Sequence, residues 1–302
     1  MALSPMVEAI RKMIRGEVLE REKLAGHTSY WIGGPALALA YPLDVEDAVA
    51  AIEAARSLGV RTVVLGHGTN ILFPDEGLDA VVIKTTRMDR MEVTGQRIWA
   101  QAGVSLSRIL AGALGHEMSG AEFMAGIPGT LGGAVAMNAG TRAGDMASVT
   151  RKVRVIECEP GVRVTQLDAT QAGFRYRGSR IHDEGMVVTD ATLELSQGDA
   201  TEIRQRVNET LESRRRTQPA GVPSAGSVFK NPPGHAAGRL IEEAGLKGVS
   251  RGGAMVSPVH ANFIVNTGGA TARDVLALVE EVRRRVKEQT GIVLETEIEI
   301  VR

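Results

Sequence analysis

Apolar residues along the chain recur with two spacings, one typical of amphipathic helices and one typical of strands. Helical spacing predicts helices over residues 6–15, 45–58, 106–114 and 200–215, and a longer helix that begins after Thr271 and ends at Gly291. Asp44, Ser105 and Thr271 stand immediately before three of these segments and can serve as N-caps. Runs rich in β-branched residues predict strands over residues 36–41, 61–65, 81–83, 98–102, 153–158, 162–165 and 187–195. The mixture of both kinds of element predicts an α+β chain.

Two charged positions in the last hundred residues stand out against this pattern. Arg214 continues the apolar row of Ile203, Val207 and Leu211, so it is predicted on a buried helix face, where an arginine needs an anion or a carboxylate partner. Residues 292–301 alternate between apolar and acidic positions and predict a strand with Glu295 on its acidic face. That face either carries chemistry or protects a charged edge strand from pairing.

A glycine-rich segment over residues 126–140 is the most unusual stretch of the chain. It contains five glycines and one proline, and no charged residue occurs from Phe123 to Thr141. Glycine and proline disrupt regular structure, so we expect neither a helix nor a central strand here. Backbone N–H groups that glycines leave accessible form concave anion sites, and a nucleotide pyrophosphate is the leading candidate ligand. The alternative is a buried, tightly turning connection without a ligand.

A shorter glycine loop, residues 66–70, follows the predicted strand 61–65. It is not a Walker loop, because no Gly-Lys-Ser/Thr follows, and it does not open a helix as a dinucleotide fingerprint does. Alone it reads more easily as a tight turn, but two glycine loops could hold the two ends of a dinucleotide. Two other polar stretches, 173–179 and 223–232, read by themselves as a solvated loop and as a turn leading into a strand.

Composition limits the classes of function. The 302 residues predict two or three compact units, and the net charge of −1 with 3% aromatic residues offers no case for nucleic acid or an anionic membrane. A single cysteine, Cys158, excludes an internal disulfide and fits a reducing cytoplasm. Charged residues interrupt the N-terminal stretch 1–16, so no signal peptide is expected. The six histidines show no metal-binding spacing, so no metal is predicted.

Taken in order, short motifs along nearly the whole chain resemble one family. The sequence resembles UDP-N-acetylenolpyruvoylglucosamine reductase, the MurB family of peptidoglycan precursor synthesis. No single motif is decisive, but the ordered set is highly specific. It comprises His27-Thr28, residues 32–36, 65–72, 119–123 and 126–140, Tyr176-Arg177, Gln218-Pro219, residues 224–232, 245–248 and 260–263, and Leu294-Glu295.

The resemblance implies a two-subdomain FAD-binding fold of the vanillyl-alcohol-oxidase (PCMH) type, followed by a smaller α+β substrate-binding domain. The implied division is residues 1–88, 89–198 and 199–302. FAD is expected to be noncovalent, NADPH to be the reductant, and the protein to be a cytoplasmic monomer. The short connection after Arg177 lacks room for the tyrosine-bearing loop of the type I enzymes, so the chain resembles type II.

The resemblance also assigns roles to individual residues. Arg177 and Glu295 would polarise the substrate carboxylate and the developing enolate, and Ser227 would donate a proton. Substrate binding is implied for Tyr176, Arg214, Lys230, Asn231 and His260. FAD binding is implied for Gly66, His67, Gly68, Thr69, Asn70, Gly126, Pro128, Gly129, Thr130, Gly132, Gly133, Ala134, Asn138 and Gly140.

Two departures and two alternatives remain at this point. Arg215 and Arg216 enlarge the basic cluster beyond what the motif requires, and His67 stands at a loop position that we treat as variable. One alternative is another flavin oxidase of the same superfamily, acting on an alcohol or sugar, which would not need Ser227, Arg214 and Glu295 together. The other is a non-catalytic FAD- or nucleotide-binding module, which would tolerate the loss of Ser227.

Overall fold

Regular elements alternate along the whole of the computed structural model, which describes residues 5–302. The helices are α1 (Pro5–Met13), α2 (Val45–Ser57), α3 (Leu106–Gly115), α4 (Leu131–Ala136), α5 (Met146–Val149), α6 (Arg180–Asp183), α7 (Ala200–Thr217), α8 (Ala237–Glu243) and α9 (Ala272–Thr290). The strands are β1 (Glu17–Glu20), β2 (Ala36–Tyr41), β3 (Arg61–Leu65), β4 (Ile71–Leu72), β5 (Leu78–Lys84), β6 (Met91–Thr94), β7 (Arg97–Gln101), β8 (Met118–Ser119), β9 (Gly140–Thr141), β10 (Gly144–Asp145), β11 (Thr150–Glu157), β12 (Arg163–Asp168), β13 (Val187–Glu194), β14 (Ser196–Gln197), β15 (Ser224–Ser227), β16 (Ser250–Arg251), β17 (Ala254–Val256), β18 (Phe263–Asn266) and β19 (Glu299–Ile300). Residues 1–4, where part of the predicted N-terminal stretch and of the first predicted domain falls, lie outside the described residues.

The predicted helix starts are confirmed by their caps. Asp44, Ser105 and Thr271 each accept a hydrogen bond from the backbone N–H three residues later. Asp274 returns a bond to the Thr271 backbone and completes a capping box, while Gly291 ends α9 with a left-handed φ of 75°. None of the helices within residues 5–302 combines the length and the apolar character that crossing a bilayer requires.

The chain divides into two compact units. The first unit comprises residues up to 21, 37–67 and 79–213, and the second comprises residues 22–36, 68–78 and 214–302. The second unit therefore gathers the last 89 residues with two short segments from the first third of the chain. The three-part division at residues 88 and 198 stays a prediction.

The first unit contains two larger sheets, each covered by helices, and two two-stranded sheets, β10-β9 and β14-β8. One sheet has the order β1-β2-β5-β3, in which β3 and β5 are parallel, and its core includes side chains of α1 and α2. The other sheet, β12-β11-β13-β7-β6, is antiparallel throughout. Its core includes apolar side chains of α3 and α4. The segment 126–140 contributes Leu131 and Val135 to this core, and their packing holds the segment in place against the sheet.

The second unit is built on the antiparallel sheet β15-β18-β17-β16. Apolar side chains of α8 and α9 form its core together with Tyr30, whose hydroxyl donates to the Ile264 carbonyl at 2.8 Å. Strands β4 and β19 form a separate parallel pair. Helix α8 and strands β15 to β18 were not among the predicted elements, because their apolar runs are too short to show a period.

Two predictions of local structure were wrong. Residues 131–136 form helix α4 inside the segment that was expected to be too rich in glycine for a helix. Packing of Leu131 and Val135 in the core outweighs the low helix propensity of Gly132 and Gly133. Residues 292–301 do not form one continuous strand, because only Glu299–Ile300 is a strand. The rest of that segment is held by single hydrogen bonds to Asn70, Val228, Lys230 and Arg283, which lie outside the strands.

Candidate functional site

Gly66 and His67 of the shorter glycine loop meet the longer loop within the first unit. Gly66 comes directly after β3 and lies against the second loop. A Cβ at this position would lie 2.3 Å from Thr130 Oγ1. A hydrogen bond also joins the His67 ring to the backbone of Gly129. Thr130 Oγ1 is buried and finds no hydrogen-bond partner within residues 5–302. A buried hydroxyl of this kind between two glycine loops is a feature expected of a ligand site.

The segment 126–140 is fastened to the sheet on one side. The Leu131 N–H donates to the Val104 carbonyl at 2.8 Å, and the Gly132 N–H donates to the Ala102 carbonyl at 2.9 Å. Any side chain at Gly132 would meet the Ala102 Cβ at 2.9 Å. Gly133, by contrast, is exposed. Part of the segment is thus a buried connection with internal hydrogen bonds, and part presents bare backbone to the surface.

Lys84 is a residue of this region that the sequence reasoning missed. It is the last residue of β5, it is buried, and its Nζ donates to the Gly66 carbonyl at 3.2 Å. Burial lowers the pKa of Lys84 to about 8. Burial also lowers the pKa of His67, and the charge of Lys84 adds to that effect. The available signal was a lysine directly after the apolar run 80–83 and in front of a turn.

Lys84→Met is expected to change how the stability of the protein depends on pH. A lysine whose pKa is about 8 in the folded state and 10.5 in its ordinary state binds fewer protons when folded across that interval. The free energy of unfolding of the wild type should therefore rise as pH increases from 8 towards 10.5. The Met variant should lack this rise. Urea unfolding at several pH values measures it, with Lys152→Met on the exposed face of β11 as the control, and identical curves for the wild type and Lys84→Met would contradict the expectation.

Arg177 lies in a tight turn of the first unit, residues 175–178, which we call the arginine turn. Backbone N–H and carbonyl groups of Arg175 and Gly178 exchange two hydrogen bonds, at 3.0 and 3.2 Å. Arg177 adopts a left-handed φ of 53°, and its guanidinium carbon lies 5.2 Å from the centre of the Tyr176 ring. Its Nη2 donates to the Gly140 carbonyl at 2.8 Å. The turn is thus an ordered structure in contact with the end of the glycine segment, and its Arg175 and Tyr176 side chains are exposed, as the sequence favoured.

Ser227 follows a β-bulge in the second unit. Ser224 pairs with Val265 and Ser227 pairs with Phe263, so three steps on β15 match two on β18. Gly226 takes a left-handed φ of 76° within this bulge. A bulge re-aims the side chain that follows it, and a glycine within a strand-like run was the signal for it.

Lys230 and Glu295 come together close to this bulge. The Lys230 Nζ lies 3.9 Å from Glu295 Oε2, and the Lys230 backbone N–H donates to the Glu295 carbonyl at 2.9 Å. The Glu297 N–H donates to the Val228 carbonyl at 2.8 Å in the same pairing. The Glu295 side chain is 77% exposed and that of Lys230 is 31% exposed. Ser227, Lys230 and Glu295 therefore belong to two adjacent, hydrogen-bonded segments.

Two further predicted residues lie at helix α8. Asn231 accepts a hydrogen bond from the Ala237 N–H at 2.9 Å, and the His260 ring stands edge-on to Phe263 with centroids 5.0 Å apart. His260 Nδ1 accepts a hydrogen bond from the Asn262 N–H at 3.2 Å, so the proton of the neutral ring is on Nε2. Burial, and then the charge of a nearby lysine, lower the pKa of His260. The imidazole is thus held neutral and orientated.

The remaining predicted residues of the second unit contact other residues of that unit. Asn70 donates to the Glu297 carbonyl at 3.1 Å, and a Cβ at Gly68 would lie 2.3 Å from the His27 carbonyl oxygen. Thr69, between them, is half-buried. Arg214 is half-buried, in contrast to the exposed Arg215 and Arg216, and its Nη1 donates to Gln218 at 3.4 Å.

Comparison with known proteins covers almost the whole chain. Residues 218–301 match the family described as UDP-N-acetylenolpyruvoylglucosamine reductase, C-terminal domain, and residues 36–165 match the FAD binding domain. The UDP-N-acetylenolpyruvoylglucosamine reductase of Caldanaerobacter subterraneus subsp. tengcongensis is 42% identical over 98% of each chain. That of Anaeromyxobacter dehalogenans is 45% identical over 97% of this chain and 88% of its own.

Solved structures give the same result. The crystal structure of UDP-N-acetylenolpyruvylglucosamine reductase (MurB) from Thermus caldophilus is 38% identical, with a TM-score of 0.79 over 96% of this chain and all of its own. A glucose dehydrogenase, Phl p 4.0202, is 16% identical with a TM-score of 0.50 over 65% of this chain and 45% of its own, a likeness in fold alone. The predicted α+β fold with a flavin-binding part is thereby confirmed. By its family matches and by its full-length relatives, the chain belongs to the UDP-N-acetylenolpyruvoylglucosamine reductase family.

Proposed function

We propose that this chain is the NADPH-dependent, FAD-containing enzyme that reduces UDP-N-acetylglucosamine enolpyruvate to UDP-N-acetylmuramate. The observation that carries the proposal is the match to named reductases of this reaction over 97–98% of the chain, at 42–45% identity. The reaction supplies a precursor of peptidoglycan. A cytoplasmic location and a monomeric state are parts of the same proposal.

Features of the first unit support the binding of FAD, which we propose to be noncovalent. Gly66 and His67 from the first loop and Gly129 and Thr130 from the second would hold it, because bare backbone and the buried Thr130 hydroxyl lie together there. When bound, FAD would supply the hydride chemistry between NADPH and C3 of the enolpyruvyl group. Lys84, which contacts the Gly66 carbonyl, would hold the first loop in place.

Arg177 is assigned to the substrate carboxylate. When a hydride arrives at C3, negative charge develops on C2 and spreads into the carboxylate as an enolate. A guanidinium stabilises this charge with two parallel N–H donors, in a way that no other side chain matches. Its left-handed backbone and its bond to the Gly140 carbonyl place the group in one defined orientation before the substrate arrives.

Ser227 is assigned as the donor of the proton that C2 receives. A serine hydroxyl is a weak acid, so its proton transfer requires a strongly basic carbon and positive charge nearby. The Lys230 ammonium, three residues further along the chain and 3.9 Å from Glu295 Oε2, supplies that charge. Glu295 is assigned a part in polarising the carboxylate and the enolate. The substrate's remaining polar groups are assigned to Tyr176, Arg214, Asn231 and His260.

Anaerobic half-reactions test the proposal. The purified protein should be yellow, and denaturation should release its flavin into solution. NADPH should bleach the flavin absorbance, and the enolpyruvyl sugar nucleotide should then restore it without oxygen. A colourless protein, or a bleached protein that only oxygen restores, would contradict the proposal, and the latter result would favour an oxidase.

A further inference from the structure

Asn138 occupies an unusual position in the first unit, at the end of the glycine segment. It is 2% exposed and adopts a left-handed φ of 44°, which residues other than glycine rarely take. Its amide nitrogen donates to Asp145 Oδ2 at 3.1 Å and to the Arg175 carbonyl at 3.0 Å. Its amide oxygen accepts a bond from the Ala147 N–H at 2.9 Å. The side-chain amide thus makes three hydrogen bonds to other groups of the protein.

These bonds connect Asn138 to the arginine turn. Arg175, whose carbonyl Asn138 holds, opens the two-residue turn that contains Arg177. On the far side of the turn, Ser179 Oγ donates to the Ala136 carbonyl at 2.6 Å. Arg177 itself donates to the Gly140 carbonyl. The arginine turn and the adjacent Ser179 are therefore tied to residues 136–140 by three hydrogen bonds, one of which Asn138 makes.

Backbone strain at Arg177, within the turn, and at Asn138, which contacts it, makes this attachment important for the conformation of the turn. Asn138 and Arg177 both have positive φ angles, and such residues cost of order 1–3 kcal/mol each and persist only where the surroundings hold them. The Asn138 amide is buried, so its bonds are shielded from competition with water. Without them, one side of the turn would lose its attachment.

We propose that Asn138 is a positioning residue that acts through Arg177, and not a ligand of the flavin. It holds the arginine turn in register with the end of the flavin-binding segment, so that the guanidinium is in place before the substrate binds. This inference rests on the proposed function for the role of Arg177. The resemblance had assigned Asn138 to the cofactor, and that role would be replaced.

Asn138→Gly is the variant that tests this. Glycine adopts the left-handed backbone more readily than asparagine, so the change deletes the amide and leaves the backbone unstrained. Glu117→Gly is the matched control, because Glu117 also has a positive φ, of 54°, in the first unit and is exposed. In Asn138→Gly, flavin content and bleaching by NADPH should match the control. Recovery of the flavin absorbance with the enolpyruvyl sugar nucleotide should be roughly 10- to 100-fold slower.

A double-mutant cycle separates positioning from general damage. Arg177→Lys already removes the group that Asn138 is proposed to position, so adding Asn138→Gly to it should slow the recovery by less than about twofold. If Asn138→Gly slows the recovery of the Arg177→Lys protein by as much as it slows that of the wild type, Asn138 acts independently of Arg177 and the inference is overturned. Loss of flavin from Asn138→Gly, or recovery at the control rate, would also overturn it.

Hydrogen exchange tests the inference without reference to the reaction. The backbone amides of Arg175 and Gly178 close the turn. In the flavin-bound Asn138→Gly protein they should exchange roughly fivefold faster than in the flavin-bound wild type, as expected for one lost hydrogen bond. Unchanged exchange would overturn the inference whatever the substrate is. Failure of the wild type to respond to the enolpyruvyl sugar nucleotide, with faster exchange in the variant, would instead reject the proposed function and retain Asn138 as the anchor of the turn.

Discussion

Ser227→Ala is expected to leave flavin binding and flavin bleaching by NADPH unchanged, and to slow recovery of the absorbance with the enolpyruvyl sugar nucleotide by roughly 10²- to 10⁴-fold. Only the second half of the reaction needs a proton at C2, so only that half should respond. The side chain is half-buried after the bulge at Gly226, and removal of one hydroxyl there changes little packing. Stopped-flow absorbance under argon measures both halves.

Ser224→Ala provides the matched control for this effect. Ser224 opens the same strand, three residues before Ser227, and it is half-buried too. Its backbone carbonyl accepts a bond from Ser29 Oγ at 2.7 Å, and alanine keeps that carbonyl. Near-normal recovery in Ser224→Ala together with slow recovery in Ser227→Ala is the expected pair of results. Normal recovery in Ser227→Ala would remove this serine from the mechanism.

Arg177→Lys is expected to slow the same half of the reaction by roughly 10²- to 10³-fold, the usual effect of losing one preorganised donor to a developing oxyanion. Lysine keeps the positive charge but offers a point charge in place of a planar pair of donors. Lysine also keeps the strain of the left-handed backbone, so the fold should respond little. Arg175→Lys is the control, because Arg175 lies in the same turn and its side chain is exposed in an ion pair with Asp183.

A second substitution at this position separates the chemistry from the fold. Arg177→Gly relieves the positive φ and removes the bond to the Gly140 carbonyl, two effects of about 1 kcal/mol each that oppose one another. The free energy of unfolding in urea should therefore change little, while the reaction with the sugar nucleotide should be lost. Retained activity in Arg177→Gly would show that the guanidinium has no part in the mechanism.

Local patterns in the sequence determined much of the secondary structure. The caps at Asp44, Ser105 and Thr271 and the helix end at Gly291 are confirmed, because capping depends only on neighbouring residues. The alternation in residues 292–301 also gave the right burial, since Leu294 and Ile298 are buried and Glu295 is exposed. The error there lay in the pairing, because the partners of an extended segment come from distant parts of the chain.

Helix α4 shows the opposite case. Gly132 and Gly133 argue against a helix by propensity, yet Leu131 and Val135 pack into the core of the sheet and stabilise one. The role of Lys84 was hidden for a similar reason. A lysine after an apolar run reads as the exposed end of a strand, and only the packed structure shows its ammonium buried against the Gly66 carbonyl.

The sequence by itself determined the family, the α+β class and the two glycine loops, because ordered motifs and local spacing survive without any knowledge of contacts. Tertiary structure alone decided that Gly66 and Thr130 lie against each other, and that Gly226 forms a bulge before Ser227. It also decided that Asn138 turns its amide towards the arginine turn. Each of these features depends on hydrogen bonds or close packing between residues far apart in the chain. Such contacts carry no periodic signal in the sequence, so only the fold could reveal them.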